Sequence, residues 1–290
     1  MNVYEIITSR ILEKLEQGVA PWSKPWSAST DMPRNLSTKK EYRGVNVWLL
    51  LMHGYDSPFW VSFKQCKAMG ESINKGEKGT PVVFWKWLDK AKPVEPDSEG
   101  QGEPEKRRAP LLRYYTVFNV EQTSIPEEKI PGIGTPAPTG NGFSPIQRCE
   151  EIVQKMPNKP EIQKGGSRAF YRPSMDLVSV PRPETFNPAE EYYSTLFHEL
   201  THATGHAGRL NRKTIVDIAP FGPGNYSREE LIAEMGAAFL CGIAGIENTT
   251  IDNSTAYIQG WLQSLKNDSK LVVIAGSQAQ KAAEYILETP

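Results

Sequence analysis

The sequence predicts an α+β protein built from two domains. Helical and strand patterns occur together in its first half, and a Pro/Gly-rich stretch divides the chain. Proline removes a backbone donor and glycine raises chain entropy, so residues 130–142 make a poor helix or strand. We therefore predict a domain over 1–129, a linker over 130–142 and a second domain over 143–290.

In the first half, apolar residues recur at helical spacing through Ile7, Ile11 and Leu15, and Gly18 ends this helix. The predicted elements are a helix over 3–17, a helix from about 45, a short helix around 63–69, and paired strands over 82–87 and 114–119. The polar stretch near 90–110 predicts a mobile insertion between the two strands.

In the second half, helical and strand patterns again mix. The predicted elements are helices over 145–155, 190–204, 227–241, 257–265 and 270–287, and strands over 169–172 and 177–180. Ser227 is predicted to cap its helix, with Glu230 completing a capping box.

Composition excludes several classes of protein. There are 33 Lys and Arg residues against 34 Asp and Glu residues, which suits neither an acidic DNA mimic nor a polycation. No signal segment is visible, and no apolar run approaches the ~20 residues of a membrane span. The three cysteines are widely spaced and odd in number, which predicts reduced thiols rather than a disulfide framework; they are Cys66, Cys149 and Cys241. We expect a cytoplasmic protein with no membrane partner.

The strongest chemical signal is the string from His198 to His202, of the form HExxH. Residues four apart share one face of a helix, so His198 and His202 can present two imidazoles to one ion. Glu199 would lie beside that ion and act as general base on a water. The donors predict Zn²⁺, with Mn²⁺ or Co²⁺ as alternatives.

A third ligand is needed, and two glutamates compete for the role. Gly208 stands where a metzincin has its third histidine, so a gluzincin-type glutamate is expected instead. Glu230 has a small residue three positions on and Glu234 four positions on, where Glu234 would orient a histidine. Glu229 shares its helix face with small residues that permit close packing. The sequence leaves this choice open.

Three further features bear on the same site. His206 would overshoot the ion, so we predict an outer contact or a contact to the transition state. Tyr226 precedes the predicted ligand helix and is a candidate oxyanion donor. The strand over 176–180 is predicted to be an edge strand that pairs with an extended peptide.

The first half interleaves aromatic and basic residues, as proteins that bind single-stranded nucleic acid do. The candidate DNA-binding residues are Trp22, Lys24, Trp26, Lys39, Lys40, Tyr42, Arg43, Asn46, Lys75 and Lys78. Most of the tryptophans also fit a simple core role, so composition by itself favours DNA binding only weakly.

Residues 35–46, 75–83 and 115–122 resemble antirestriction proteins of the ArdC type and the N-terminal region of TraC-type plasmid primases. Residues 198–212, with the string over 229–234, resemble the zincin-like metallopeptidase domain of the same family. The resemblance implies a single-stranded DNA-binding domain joined to a metallopeptidase. It also implies a role in protecting incoming conjugative DNA from restriction.

Three hypotheses remain open at this point. The first is an enzyme that holds single-stranded DNA and cleaves an unidentified DNA-associated protein. The second is a DNA-binding protection factor whose metal site is structural or idle. The third is a peptidase whose first half binds its protein substrate. The intact Glu199 speaks against an idle site, because a purely structural site needs no general base.

Overall fold

The computed structural model describes residues 2–22, 32–90, 107–131, 145–216, 223–246, 248 and 255–289. Its helices are α1 (Val3–Glu16), α2 (Val45–Leu51), α3 (Phe63–Ala68), α4 (Pro145–Lys155), α5 (Glu190–Ala203), α6 (Lys213–Val216), α7 (Pro223–Ala244), α8 (Thr255–Asn267) and α9 (Leu271–Ile286). Its strands are β1 (Arg34–Asn35), β2 (Phe59–Ser62), β3 (Thr80–Lys90), β4 (Arg107–Asn119), β5 (Glu161–Lys164), β6 (Phe170–Arg172) and β7 (Leu177–Val180). The mixed fold confirms the α+β prediction. None of these helices combines the length and apolar character that crossing a membrane requires.

The first sheet has the strand order β1-β2-β4-β3. Its longest part is the antiparallel β3–β4 pair, in which Val82 lies opposite Tyr115 and Trp87 opposite Pro110. This confirms the predicted pairing of the two apolar segments. The insertion predicted near 90–110 lies largely outside the described residues. Strands β1 and β2 were not predicted, because two and four residues carry too little alternation to indicate a strand.

The second sheet has the order β5-β7-β6 and corrects one prediction. Strand β7 is central: it pairs with β5 in parallel and with β6 antiparallel, and all four of its residues are buried. The segment over 176–180 is therefore not an edge strand. Sequence analysis missed β5, whose residues Glu161–Lys164 are mostly polar and exposed. Among the described strands, β5 and β6 form the two edges of this sheet.

Helix α7 corrects a second prediction. It begins at Pro223, so Ser227 lies inside the helix rather than at its N-cap. A capping box spanning Ser227 and Glu230 is excluded, since an N-cap residue must precede the helix. The error arose because serine followed by glutamate three positions on also occurs within helices.

Residues of both halves share one hydrophobic core. Ile7 and Ile11 of α1 belong to the same buried cluster as Phe239 of α7. Trp48 of α2 packs against Phe239 with ring centroids 4.6 Å apart. The predicted linker lies mostly outside the described residues, and the domain boundaries stay a prediction. The shared core means that the first half helps to support the helix bundle beneath the metal site.

A glycine contact joins α9 to the loop before α2. Gly44 has φ +59° and ψ −138°, a conformation that only glycine adopts readily. A Cβ at Gly276 would lie 2.7 Å from the backbone nitrogen of Val45. Gln280 of α9 accepts a hydrogen bond from the Gly44 N–H at 3.2 Å. The segment over 43–46 therefore has a structural role in holding the two halves together.

Substituting Gly276→Ala is expected to lower the free energy of unfolding by about 1–3 kcal/mol, because the added methyl overlaps backbone that has little room to move. Gly260→Ala in α8 is the matched control, since a Cβ there has no neighbour within 4 Å. Alanine at Gly260 should be neutral or stabilise the helix by up to about 1 kcal/mol. Urea unfolding measures both changes. Equal changes in the two variants would contradict the tight contact.

Candidate metal centre

Two crossing helices, α5 and α7, build the site. In α5, apolar side chains face the core and leave the two histidines on the opposite, cavity-lining side; the buried residues include Tyr192, Leu196, Phe197 and Leu200. Helix α7 can pack closely against α5 because Gly236 has no side chain. A Cβ at this position would lie only 2.5 Å from the side chain of Thr201. This close packing brings the glutamates of α7 within reach of His198 and His202.

Three side chains converge on one point. The Nε2 atoms of His198 and His202 lie 3.1 Å apart. The carboxylate oxygens of Glu230 lie 3.5 Å from the Nε2 of His198 and 3.5 Å from the Nε2 of His202. Among the described residues these three form a group that can hold a metal ion.

Each histidine also meets a carboxylate at its other nitrogen. Glu229 lies 3.3 Å from the Nδ1 of His202, and Glu234 lies 3.5 Å from the Nδ1 of His198. The two competing glutamates therefore contact different atoms. Glu230 lies beside the Nε2 atoms of both histidines, whereas Glu229 contacts the Nδ1 of His202 on the far side of that ring. This placement favours Glu230 over Glu229 as the third ligand. Carboxylates in such outer positions fix the orientation of histidine ligands.

Sequence reasoning missed Arg212, which anchors Glu229. Its guanidinium donates to Glu229 at 2.6 Å and to the carbonyl oxygen of Thr201 at 2.7 Å. Thr214 also donates to Glu229. The turn after α5 has room for the Arg212 side chain because Gly205 has no side chain. A Cβ at Gly205 would lie only 3.0 Å from the guanidinium of Arg212. The sequence signal for this residue is its position just after the end of α5, because the last carbonyl groups of a helix have no partner within the helix and attract cations.

Burial and charge shift the pKa values at the site in opposite directions. Burial would lower the pKa of His198, but its hydrogen bond to Glu230 and the charges of Glu234 and Glu199 outweigh this and raise the pKa to about 9. Burial would raise the pKa of Glu229, but His202 and Arg212 lower it to about 2. At neutral pH the metal-free His198 therefore carries a proton that an ion must displace.

The donor set fits a divalent ion. An ion about 2.0–2.1 Å from each donor in tetrahedral geometry places the donor atoms about 3.3 Å from one another. The observed separations of 3.1, 3.5 and 3.5 Å lie around that value. The Nδ1 of His198 is buried without a hydrogen bond within the described part of the chain, as is one oxygen of Glu234. Both atoms belong to the shell around the metal position.

The site opens into a cavity of about 390 Å³. Glu199, which is 7% exposed, lines this cavity beside the histidines. Phe170 and Tyr171 of the edge strand β6 also line this cavity. An extended peptide that paired with β6 would therefore run past Glu199 and the metal position.

Arg209 and Asp176 hold this edge strand in place. Arg209 forms two hydrogen bonds to Asp176, at 2.8 and 2.7 Å, and a third to the carbonyl oxygen of Ala203 at the end of α5. Tyr171 of β6 donates to Asp176 at 2.9 Å. These contacts tie β6 to the helix that carries the histidines.

Of two other predicted residues, His206 does not reach the cluster, and the side chain of Tyr226 is not described. His206 follows the end of α5, where its Nδ1 accepts a hydrogen bond from the Gly208 N–H at 3.1 Å. It is not part of the group of converging donors. Tyr226 lies in α7, but its side chain is outside the described part of the structure, so its role as an oxyanion donor stays a prediction.

Three of the predicted DNA-binding residues have structural roles. Trp22 is 0% exposed and packs against Trp261 at 5.3 Å, so its ring cannot stack on a base. Tyr42 is buried and its hydroxyl accepts a hydrogen bond from Asn35. Asn46 is buried and bonds the backbone of Val83 at 2.8 and 2.7 Å. The predictions for these three are wrong because packing has already used their polar and aromatic groups.

The cationic candidates have mixed outcomes. Arg43 is exposed but forms an ion pair with Glu284 of α9. Lys24 and Trp26 lie outside the described residues. Four of the lysines predicted to bind DNA are exposed, namely Lys39, Lys40, Lys75 and Lys78. These four side chains are exposed to solvent, and the Nζ of Lys39 also lies 5.5 Å from the ring centroid of Phe59.

Comparison with known families matches both halves of the chain. Residues 147–278 match the family described as a zincin-like metallopeptidase. Residues 1–118 match the family described as the N-terminal domain of the anti-restriction factor ArdC. The two matches together span most of the chain.

Individual relatives agree with these families. Two Escherichia coli proteins, both called DNA primase TraC, are 34% identical over 98% of this chain, which spans 20% and 27% of their lengths. The chain thus corresponds to a minor part of these primases. Protein y4eC of Sinorhizobium fredii, which is uncharacterized, is 32% identical, with 98% of this chain and 91% of y4eC covered.

Crystal structures of the antirestriction protein ArdC from plasmid R388 are similar over the whole chain. The metal-free form has a TM-score of 0.76 at 34% identity, with 99% of this chain and 97% of that chain covered. The Mn(II)-bound form has a TM-score of 0.74 at 34% identity, with 99% and 98% covered.

Proposed function

The chain belongs to the ArdC family of antirestriction factors, and from this premise we propose that it is a DNA-binding metallopeptidase that protects incoming plasmid DNA. In this proposal the first half binds single-stranded DNA and the second half hydrolyses a protein associated with that DNA. The observation that carries the peptidase half is the convergence of His198, His202 and Glu230 in a cavity that Glu199 also lines.

The proposed ligands are His198, His202 and Glu230, with Glu229 and Glu234 orienting the two imidazoles. A bound divalent ion would supply a Lewis acid that makes a water nucleophilic near neutral pH. Zn²⁺ is the ion we propose, and the Mn(II)-bound ArdC structure supports Mn²⁺ as an alternative. Co²⁺ would also suit two imidazoles and a carboxylate.

Glu199 has the remaining chemical role. Its carboxylate would accept a proton from the attacking water as the water oxygen bonds to the peptide carbonyl carbon. The same carboxyl group would then give this proton to the leaving amine as the carbon–nitrogen bond breaks. Edge strand β6 would hold the substrate backbone by β-sheet hydrogen bonds, a common way of binding extended peptides.

The DNA-binding half is supported by the family match over residues 1–118 and by the similarity to primases. Conjugation delivers DNA as a single strand, so a single-strand binding domain would bring the peptidase to incoming DNA. This proposal differs from inhibition of the restriction enzyme by DNA mimicry. A protein that mimics DNA needs a large acidic excess, whereas this chain is nearly neutral.

Metal removal tests the peptidase half. We expect the full-length protein loaded with Zn²⁺ or Mn²⁺ to cleave a proteome-derived peptide library, analysed by mass spectrometry. Chelation with EDTA should abolish cleavage, and added metal should restore it. A library left intact under both metals would contradict peptidase activity and favour a protection factor with an idle metal site.

Fluorescence anisotropy of a labelled 20-mer of thymidine tests the DNA half. We expect tighter binding to this strand than to a duplex of equal length, with affinity falling as salt rises. No binding at low salt would contradict the DNA half while leaving the peptidase half standing.

A further inference from the structure

The β3–β4 hairpin exposes four large aromatic side chains. Their exposed fractions are 42% for Phe84, 47% for Trp85, 47% for Tyr114 and 39% for Tyr115. Rings of this size are normally buried, and neighbouring apolar residues of the same strands, such as Val82 and Leu112, are buried. A cluster of exposed rings on a paired sheet indicates a binding surface.

The strand register sorts these rings onto two faces. Residues directly opposite point to the same side, and successive residues alternate. Val82 lies opposite Tyr115, and Phe84 lies opposite Arg113, so Phe84 and Tyr115 share one face. Their ring centroids are 5.7 Å apart. We call this the Phe84 face.

Trp85 and Tyr114 occupy the reverse side. Val83 lies opposite Tyr114, and Trp85 lies opposite Leu112. Val83 and Leu112 belong to the main core, and Val82 on the Phe84 face belongs to a smaller buried cluster, so both faces of the hairpin are buried near its base. From 81 to 86 and from 110 to 116, neither strand places a lysine or arginine on this side.

The Phe84 face differs by carrying two cations. Arg113 is directly opposite Phe84, and Lys86 is two residues further along β3. Both side chains are exposed, and neither forms an ion pair with another described residue. Aromatic rings on the same strand face as exposed cations suit a ligand that has both flat bases and phosphates.

We propose that the Phe84 face of the β3–β4 hairpin is the surface that binds single-stranded DNA. Phe84 and Tyr115 stack on two bases, and Lys86 and Arg113 contact the flanking phosphates. This inference rests on the proposed function, and it relocates the site from Trp22, Tyr42 and Asn46. Duplex DNA fits poorly, because paired bases do not offer their faces to a side chain.

Paired substitutions of the full-length protein test the surface, with the thymidine 20-mer as probe. Phe84→Leu with Tyr115→Leu should weaken binding by about tenfold or more per ring. Trp85→Leu with Tyr114→Leu is the matched control, since it removes two rings of similar exposure from the reverse side. The control should bind as the unsubstituted protein does. Circular dichroism melting checks that both variants remain folded.

A second variant tests the cations independently of hairpin packing. Lys86→Gln with Arg113→Gln should reduce the steepness of log K against log salt by about 1.4, the value for two phosphate contacts to a single strand. This result, together with the loss in the Phe84 variant, would support the proposal.

Three outcomes would overturn the inference, and they are distinguishable. If the unsubstituted protein fails to bind the 20-mer, the DNA half of the proposed function falls, and this inference with it. If it binds and both the Phe84 variant and the cation variant bind equally well, only the location is wrong. If the cation variant loses duplex binding while the Phe84 variant keeps both affinities, the face is a phosphate surface without base stacking.

Discussion

Replacing Glu199 by glutamine is expected to abolish peptide hydrolysis and leave metal binding intact. Glu199 lines the metal cavity, but it is not one of the three converging donors. Glutamine preserves the size of the side chain but cannot accept the proton of the attacking water. Loss of a general base typically lowers turnover about 10²–10⁴-fold.

The measurement compares kcat/KM on the best library peptide with metal content by mass spectrometry. Glu191→Gln, in the first turn of the same helix, is the matched control and should leave both values unchanged. Full activity in the Glu199 variant would remove the proposed general base. Loss of metal instead would show that Glu199 is itself a ligand.

The same variant decides what hydrolysis contributes to antirestriction. If peptidase chemistry protects incoming DNA, a donor strain that carries the Glu199→Gln variant should transfer an unmodified plasmid into a restricting recipient as poorly as a donor strain that lacks the protein. Undiminished protection would mean that DNA binding is the protective activity and that hydrolysis serves another purpose.

Substituting Glu230 and Glu229 separately by glutamine is expected to give opposite patterns of metal affinity and stability. Glu230→Gln weakens a direct ligand, so metal affinity should fall by more than the roughly 10–100-fold typical of an outer contact. Its metal-free stability should change little by comparison.

Glu229→Gln should lower metal affinity only within that roughly 10–100-fold range, because Glu229 acts through His202. It also leaves the buried guanidinium of Arg212 without its carboxylate. Breaking a buried ion pair costs about 3–5 kcal/mol, so the metal-free variant should melt at a markedly lower temperature.

Competition against a chromophoric chelator measures affinity, and thermal unfolding of metal-free protein measures stability. Glu234→Gln provides a comparison, since Glu234 meets His198 as Glu229 meets His202 but has no arginine partner in the described structure. A larger loss of metal affinity in the Glu229 variant than in the Glu230 variant would reverse the ligand assignment.

Local patterns predicted much of this protein correctly. The spacing of His198 and His202 brought two imidazoles to one helix face, because helical periodicity fixes which residues are neighbours. The same periodicity predicted α1 and α5 to within about two residues at each end, the usual uncertainty of helix ends. The apolar alternation in the two long segments predicted the β3–β4 pairing. These features depend on contacts between residues close in sequence or on strongly patterned strands.

The errors share a different cause. The sequence predicts β7 as an edge strand because polar β5, its parallel partner, gives no sequence signal of a strand. Trp22 and Tyr42 were candidates for stacking because aromatic residues suit both cores and nucleic-acid surfaces. Only the packing of Trp22 on Trp261, from the opposite end of the chain, excludes one of these roles.

The sequence by itself predicted the α+β class, the helix that carries His198 and His202, Glu199 as the proposed general base, and the resemblance to a family. Only the tertiary structure placed Glu230 rather than Glu229 beside the Nε2 atoms of both histidines, brought Arg212 to Glu229, made β6 an edge strand and exposed the rings of the β3–β4 hairpin. The physical reason is that adjacent glutamates point about 100° apart on a helix. Which of them faces the histidines depends on how α7 crosses α5, and no local pattern specifies that crossing.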